Sequence, residues 1–568
     1  MPGRFSLRTR LALVALVVVA TFALARTAFA QQTAPRTRAE RTNYTETSHH
    51  ADVLAFLDAL DRAAPGKMAR RTIGTTSQGR EIPLVIASRP LVRTPAEARA
   101  TGKPIVYVQG NIHGGEVEGK EALQALLRDL VLAPGANALD SIVLLAVPIY
   151  NGDGNDSWGP QARQRGSQNG PETIGQRPNG EGFDLNRDYM KAEAPETRAS
   201  LSAFDEWDPD VFVDLHTTNG SYHGYALTYS PSLNPAAYLP GLSAGPLTRD
   251  ELLPELRRRM SDRHDFAIFD YGNFPGNDPV PAGWFTYDHR ARYGTNYQGL
   301  LGRVTILSEA YSHDPFERRV RSTYAFVQEL LSLTAERAAD IVAAVRDAGS
   351  AVRALQASGT PVPLRAVRPD SLPTGPIVYE VLERTDDTTR VEPGVRRGFR
   401  RTGEYRTVTI PIQDRFTGTS AQPMPWGWAF TADSLADQWL ARHHVEVETV
   451  GASSCTAPSA RTFTPDSVSV SGREYQGRRE AYVRGSWGAP ASRPLAEGTR
   501  VVRAAQRAGL VAMLSLEPES DDGLTAWNEG ARVAVDASGE AVARLLPIRL
   551  EAAPRPECTL RPMASRPE

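Results

Sequence analysis

The sequence predicts an α/β protein: a mixed, twisted sheet flanked by helices, followed by a smaller β-rich domain. Three observations carry this. Apolar runs of strand length alternate with segments of helical periodicity from about residue 50 to residue 358. A proline-rich stretch, "TPVPLRAVRPDSLPTGP", then breaks the pattern, and beyond it short strand-like pieces and turns dominate. Finally, the ~540 residues that follow the N-terminal segment are too many for one ordinary core, which makes two domains the default.

The N-terminal segment has a basic start (Arg4, Arg8, Arg10), an apolar run from Leu11 to Ala25 and a small-residue site at Ala28-Phe29-Ala30. This is the pattern of a signal peptide over residues 1–30, removed on export to a periplasmic or extracellular location. A membrane anchor is the competing reading, but the run is short of the ~20 residues a span needs. No later stretch has 18 unbroken apolar residues, so no stable membrane insertion is expected after cleavage.

In "HHADVLAFLDALDRAA", Val53, Leu54, Phe56, Leu57 and Leu60 recur at helical spacing. "MARRTIGTTSQGREIPLVIAS" reads as two strands around a Ser-Gln-Gly turn. Next come a buried strand in "KPIVYVQG", a helix in "EALQALLRDLVL" and another buried strand in "SIVLLAVPIY". Strands follow in "DPDVFVDLHTT", ending at His216, and in "GRVTILSEAYS", ending at Glu309; a helical region from Phe316 to Ala357 closes the unit. The expected boundaries are a first domain at 31–358, a linker at 359–376 and a C-terminal domain at 377–568. The last contains strand-like "YRTVTIPI", "VEVETV" and "SVSVSG" and a helix in "SLADQWLARH".

Net charge is −2 with both signs interspersed, which argues against a nucleic-acid face. The two cysteines, Cys455 and Cys558, allow a single internal disulfide if the chain is exported; two buried free thiols are the other reading. The acidic run Glu517, Glu519, Asp521, Asp522 lacks the spacing of a cation loop and reads as a solvated turn rather than a calcium site.

"QGNIHGGEVEG" places His113 and Glu116 in a glycine-rich loop between a strand and a helix. One HxxE in a chain of this length is about what chance supplies, so context decides. A hydrolytic zinc site needs three protein ligands and an open position for water. The flexible loop lets His113 and Glu116 turn towards one point, and His216 lies where α/β sheets collect their sites, at the carboxyl end of a strand. A second copy, His443 and Glu446, sits in "HVEVETV", whose alternation is that of a strand; residues three apart would then face opposite ways, as on a solvated strand edge.

"QRPNGEGFDLNRDY" lies between the HxxE and the distant histidine. With it the sequence resembles the M14 family of zinc carboxypeptidases. The matching elements are "HGGE", "RPNGEGFDLNRD", the strand-end "DLHT" and the glutamate of "VTILSEA", in the family's order across roughly residues 45 to 340. The resemblance implies one Zn²⁺ held by His113, Glu116 and His216, with Asp184 as a hydrogen-bond acceptor that fixes His113. It implies that Arg177 stabilises the oxyanion, that Asn186 and Arg187 hold the terminal carboxylate of a peptide substrate, and that Glu309 is general base and acid. Family members also have a tyrosine upstream of the base. Tyr287 has the closest spacing, with Tyr293 and Tyr297 nearby, although the intervening residues do not match. His223 reads as a polar loop residue and not as a fourth ligand. The expected activity is hydrolysis of C-terminal peptide bonds; the alternatives are a zinc amidase acting on cell-wall (murein) peptides and an inactive peptide-binding relative.

Overall fold

The computed structural model describes residues 34–276, 280–386, 398–451, 455–535 and 541–563. The N-terminal 1–30 segment lies outside them. Among the described residues, no helix is long and apolar enough to cross a membrane.

The sheet of the first unit is built from β1 (Met68–Thr75), β2 (Glu81–Ala87), β3 (Ile105–Gly110), β4 (Val143–Val147), β5 (Val211–Thr217), β6 (Leu227–Ser230), β7 (Ile268–Asp270) and β8 (Val304–Ala310). Their order is β1-β2-β4-β3-β5-β8-β6-β7. The central strands β4, β3, β5 and β8 run parallel, whereas β1, β2 and β6 enter antiparallel, so the sheet is mixed.

Every residue of those four central strands is buried, which explains why they read as continuous apolar runs and not as alternation. One face packs Val108, Leu144, Val213 and Ile306 against α1 (His50–Ala63), α2 (Glu118–Leu132), α4 (Leu253–His264) and α5 (Phe316–Glu336). The other face, through Tyr107, Leu145 and Phe212, meets α3 (Pro195–Trp207) and a cluster that continues into Trp428, Trp439, Val502 and Met513. The C-terminal region thus shares a core with the first unit.

One local expectation is overturned, and two other stretches show more detail than the sequence does. The stretch expected to be a linker contains β9 (Pro361–Val367), paired with β12 (Thr417–Pro423). Its prolines are tolerated because this is a two-stranded ribbon with open edges. The helical region after Phe316 is three helices, interrupted at Arg337 (φ −103°, ψ 23°) and at Asp347, and it stops where Gly359 takes φ 66°.

The acidic run is no solvated turn. Asp522 accepts from Arg292 Nε (2.8 Å) and Trp527 Nε1 (2.8 Å), Asp521 lies 2.8 Å from His289 Nε2, and Glu517 accepts from Trp428 Nε1 (2.8 Å). Glu517 and Asp522 are each 1% exposed. These carboxylates bind the C-terminal region to itself and to the first unit.

The rest of that region is β-rich. β10 (Thr374–Arg384) and β11 (Phe399–Gln413) pair antiparallel and dock on the first unit, where Gly224 N donates to Val378 O (3.0 Å). Seven further strands form a second sheet. Cys455 and Cys558 are joined in a disulfide across its end.

Candidate metal and catalytic site

The site forms at the carboxyl ends of β3, β5 and β8. After β3 the chain turns at Asn111, whose φ is 67° and whose side-chain amide donates to the carbonyls of His113 (3.2 Å), Gly114 (3.2 Å) and Glu116 (3.1 Å). The two glycines are there for space. A Cβ on Gly114 would lie 2.2 Å from the carbonyl carbon of Gly154, and one on Gly115 would lie 2.8 Å from Gly175 O. The loop thereby turns His113 and Glu116 inward, ahead of α2.

His216 closes the group from the end of β5. His113 Nδ1 lies 3.0 Å from Glu116 Oε1, His216 Nδ1 lies 3.0 Å from Glu116 Oε2, and the two Nδ1 atoms are 3.2 Å apart. Exposures of 2%, 2% and 3% make this a buried set, and it is the one such cluster among the described residues.

Two ring nitrogens and a carboxylate converging on one point fit a metal ion. Ligand arms of about 2.1 Å in a tetrahedron place donors about 3.3–3.4 Å apart, close to the separations here. The far nitrogens are occupied. Asp184 Oδ1 lies 3.0 Å from His113 Nε2, and Asp214 Oδ2 lies 2.9 Å from His216 Nε2, off the line of the ring N–H. That leaves both Nδ1 atoms as the inward-facing donors.

The charges are strongly coupled. Burial favours the neutral form of Glu116, but His113, Arg165 and His216 together hold its carboxyl well below the usual range. Burial opposes the charged form of His216, yet Asp214 and Glu116 raise its imidazole well above its ordinary value. Asp184, although buried, is likewise held well down by His113, Arg177 and Arg187.

The "DLNR" stretch is pinned from several sides. Asp184 Oδ1 also accepts from Asn186 N (3.0 Å), capping the turn Leu185–Arg187. Arg177 Nε donates to Asp184 Oδ2 (2.9 Å) and Nη1 reaches Glu116 Oε1 (3.3 Å), while 34% of the side chain remains exposed. Asn186 Oδ1 accepts from Gly294 N (3.0 Å), and the Arg187 guanidinium lies 4.1 Å from the Tyr293 ring.

Glu309 is 8% exposed, and its Oε2 has no hydrogen-bond partner. Burial, with Glu116 adding to it against the pull of His216, pushes its carboxyl up to about 8. Tyr287 packs 5.7 Å from Tyr271 and 5.1 Å from Tyr293, ring to ring, with its hydroxyl buried; Tyr297 is turned away, bonded to His443 Nδ1 (2.9 Å).

Two expectations about histidines change. His443 is not on a strand edge. It caps the helix Ser434–Arg442, is 3% exposed, and is held at its other nitrogen by Met190 O (2.8 Å). The strand begins only at Glu448, because Val445 and Val447 are drawn into the core instead of alternating along a ladder. His223 is fully buried among Tyr225, Trp284 and Tyr311, and burial lowers its imidazole to about 3. It stands apart from the ligand cluster, as expected, in the loop between β5 and β6, but it is packed inside and not open to solvent.

Sequence reasoning missed Asp214 and Arg165. Asp214 was legible: two residues before His216 on one strand, it shares its face. Arg165 Nη1 donates to Glu116 Oε1 (2.5 Å) and Nη2 to the carbonyls of Thr217 (3.0 Å) and Thr218 (3.1 Å), out of a loop with no pattern to mark it.

A family model described as zinc carboxypeptidase matches residues 53–266, a span that holds all three donors, Arg177 and the "DLNR" turn but ends before Tyr287 and Glu309. Carboxypeptidase 2 of Trichophyton equinum is 25% identical over 300 residues, covering 49% of this chain and 50% of the relative. Inactive metallocarboxypeptidase ECM14 of Saccharomyces cerevisiae is 27% identical over 272 residues, covering 42% and 60%. The chain spans about half the length of the first of these relatives. Among solved structures, a metallo-carboxypeptidase from Pseudomonas aeruginosa is 19% identical, covering 51% of this chain and 69% of that one, with a TM-score of 0.36. One from Burkholderia cenocepacia is 18% identical, covering 50% and 68%, with a TM-score of 0.37. The buried His-Glu-His group thus lies inside residues 53–266, the span that matches the zinc carboxypeptidase family model.

Proposed function

We propose that this is an exported zinc metallocarboxypeptidase that removes C-terminal residues from peptides. The observation that carries the reading is the convergence of three buried donors beside Glu309, with Arg177 and Arg187 on one adjacent loop. His113, Glu116 and His216 would hold Zn²⁺. Bound there, zinc would polarise the scissile carbonyl and lower the pKa of its water towards ~7. Glu309 takes the proton from the attacking water and delivers it to the leaving amine. Arg177, anchored through Nε and partly open, faces the developing oxyanion. Asn186 and Arg187 receive the substrate's terminal carboxylate, for which a guanidinium offers a paired set of donors. Export is supported by the N-terminal signal pattern and by a disulfide, which persists in oxidising compartments. The donors, Arg177 and Glu309 are all retained, which weighs against an inactive relative.

The test compares a peptide with its C-terminal amide. A partly buried guanidinium facing a neutral amide loses its charge partner, so amidation is expected to lower kcat/KM by at least ~10³. Arg187→Ala should cause a similar loss on the free acid and little more on the amide. Equal rates on acid and amide would refute the carboxypeptidase reading while leaving a zinc hydrolase. Preference for a murein peptide carrying a side-chain carboxylate would favour the amidase.

A further inference from the structure

In the C-terminal region, Tyr475 and Arg478 exchange backbone hydrogen bonds (2.7 and 3.0 Å) around a two-residue turn. Both central residues have positive φ, Gln476 at 50° and Gly477 at 74°, as in a type I′ turn. Glycine adopts that conformation freely, but glutamine does so at a cost, so the surroundings must hold it there.

The surroundings are the substrate loop. Gln476 Oε1 accepts from Asp184 N (3.0 Å), although 292 residues separate them. Asp184 in turn holds His113 through Oδ1, so a chain of contacts runs from zinc donor to Asp184 to Gln476. The Tyr475 phenol stands close enough to the Arg187 guanidinium to help hold its charge, and that guanidinium packs on Tyr293. A Cβ on Gly477 would touch Phe183 at 3.7 Å.

The turn is clamped from below. Arg478 pairs with Glu193, just beyond the "DLNRD" stretch, and with Glu529 (3.2 Å). Tyr475 stacks on Trp527 (6.1 Å), and the Arg292 guanidinium lies 4.1 Å from Trp527 and 5.4 Å from Tyr475.

We propose that the Tyr475–Arg478 turn is part of the substrate site, with Gln476 and Tyr475 as positioning residues. Gln476 fixes the Asp184 backbone and thereby the His113 ring. Tyr475 fixes the guanidinium that reads the terminal carboxylate. The C-terminal region is then no appendage: it completes the pocket for the substrate's last residue. The Tyr475 half of this rests on the carboxypeptidase reading above; the Gln476 half does not.

Two variants of the full-length protein separate the halves. Gln476→Met keeps side-chain length but removes the acceptor, and it should weaken Zn²⁺ affinity severalfold by chelator competition, because outer contacts of a metal ligand tune its affinity. Tyr475→Phe removes one hydroxyl, and it should raise KM for a peptide acid about tenfold with kcat nearly unchanged, narrowing the acid-to-amide preference. Gln476→Glu, which restores an acceptor oxygen, should recover zinc affinity. Wild-type zinc affinity in Gln476→Met together with a wild-type acid-to-amide ratio in Tyr475→Phe would overturn the proposal. If the unmodified protein itself does not distinguish acid from amide, the carboxypeptidase reading falls, and the zinc measurement still decides whether the turn supports the site.

Discussion

Glu309 stands directly opposite His216 in the register of two neighbouring parallel strands, β8 and β5. Parallel partners point to the same face, so the register alone brings a carboxylate to the rim of the His-Glu-His group. Glu309 is not one of the three clustered donors, and its Oε2 is unpartnered. Glu309→Gln is therefore expected to keep its zinc and its fold while turnover falls by several orders of magnitude, general acid–base catalysis alone being worth ~10²–10⁴. Zinc content and single-turnover hydrolysis check this. Near-normal turnover would mean that another group is the base.

The same residue sets a pH dependence in the metal-free protein. Its carboxyl, pushed up to about 8 chiefly by burial, binds a proton more tightly folded than unfolded. Stability therefore falls as pH rises from the unfolded value of ~4.3 and levels off above about 8. Glu309→Gln carries no such charge. Its metal-free form should melt with the wild type at the acid end and above it at pH 8, the gap widening between. Parallel melting curves across that range would contradict the burial argument.

Asp214 Oδ2 lies 2.9 Å from His216 Nε2 and its other oxygen accepts from Gln109 Nε2 (3.1 Å). Asp214→Asn should weaken zinc binding ~10–100-fold, as loss of an outer carboxylate does at other metal histidines. Chelator competition measures it. Unchanged affinity would show that Asp214 does not set the orientation of His216.

Much of this site was readable because its determinants are local. A glycine loop with a three-residue spacing and a strand end mark His113, Glu116 and His216 as one group, and the family resemblance adds Glu309. What escaped depends on contacts across the chain. The acidic run reads as solvated until Arg292, more than two hundred residues earlier, is found against Asp522. His443 reads as strand because Val445 and Val447 alternate with glutamates, yet tertiary packing buries both valines beside a helix end. Pattern reports which faces are apolar, but not which distant element covers them.

The disulfide between Cys455 and Cys558 closes a loop of 103 residues. In the chain-entropy model such a link is worth up to ~4–5 kcal/mol, all of it within the C-terminal region. Thiol counting on denatured, unreduced protein should find none free. Reduction should lower the melting temperature but leave zinc bound, because the three donors lie in the first unit. Two free thiols before reduction would remove the link.

The final prediction concerns the seam between the two regions. Arg292 is 1% exposed; its Nε and backbone N both donate to Asp522 (2.8 and 2.5 Å), and Nη2 donates to Glu480 (2.7 Å). Its guanidinium faces Trp527 at 4.1 Å, and Trp527 Nε1 completes the ring of bonds at Asp522. Removing one member of a buried ion pair leaves the other charge without solvent or partner, which typically costs ~3–5 kcal/mol, whereas replacing both by apolar groups of similar volume is often neutral. Asp522→Ala should therefore lower the melting temperature markedly. Arg292→Met combined with Asp522→Leu should recover most of the loss, since neither charge then remains buried. The double variant should still differ in catalysis, because Arg292 also lies against Tyr475. A pair that restores stability but leaves a raised KM on peptide acids would separate the seam's structural role from its hold on the turn. Equal losses in the single and double variants would mean that packing against Trp527, and not the ion pair, holds the regions together.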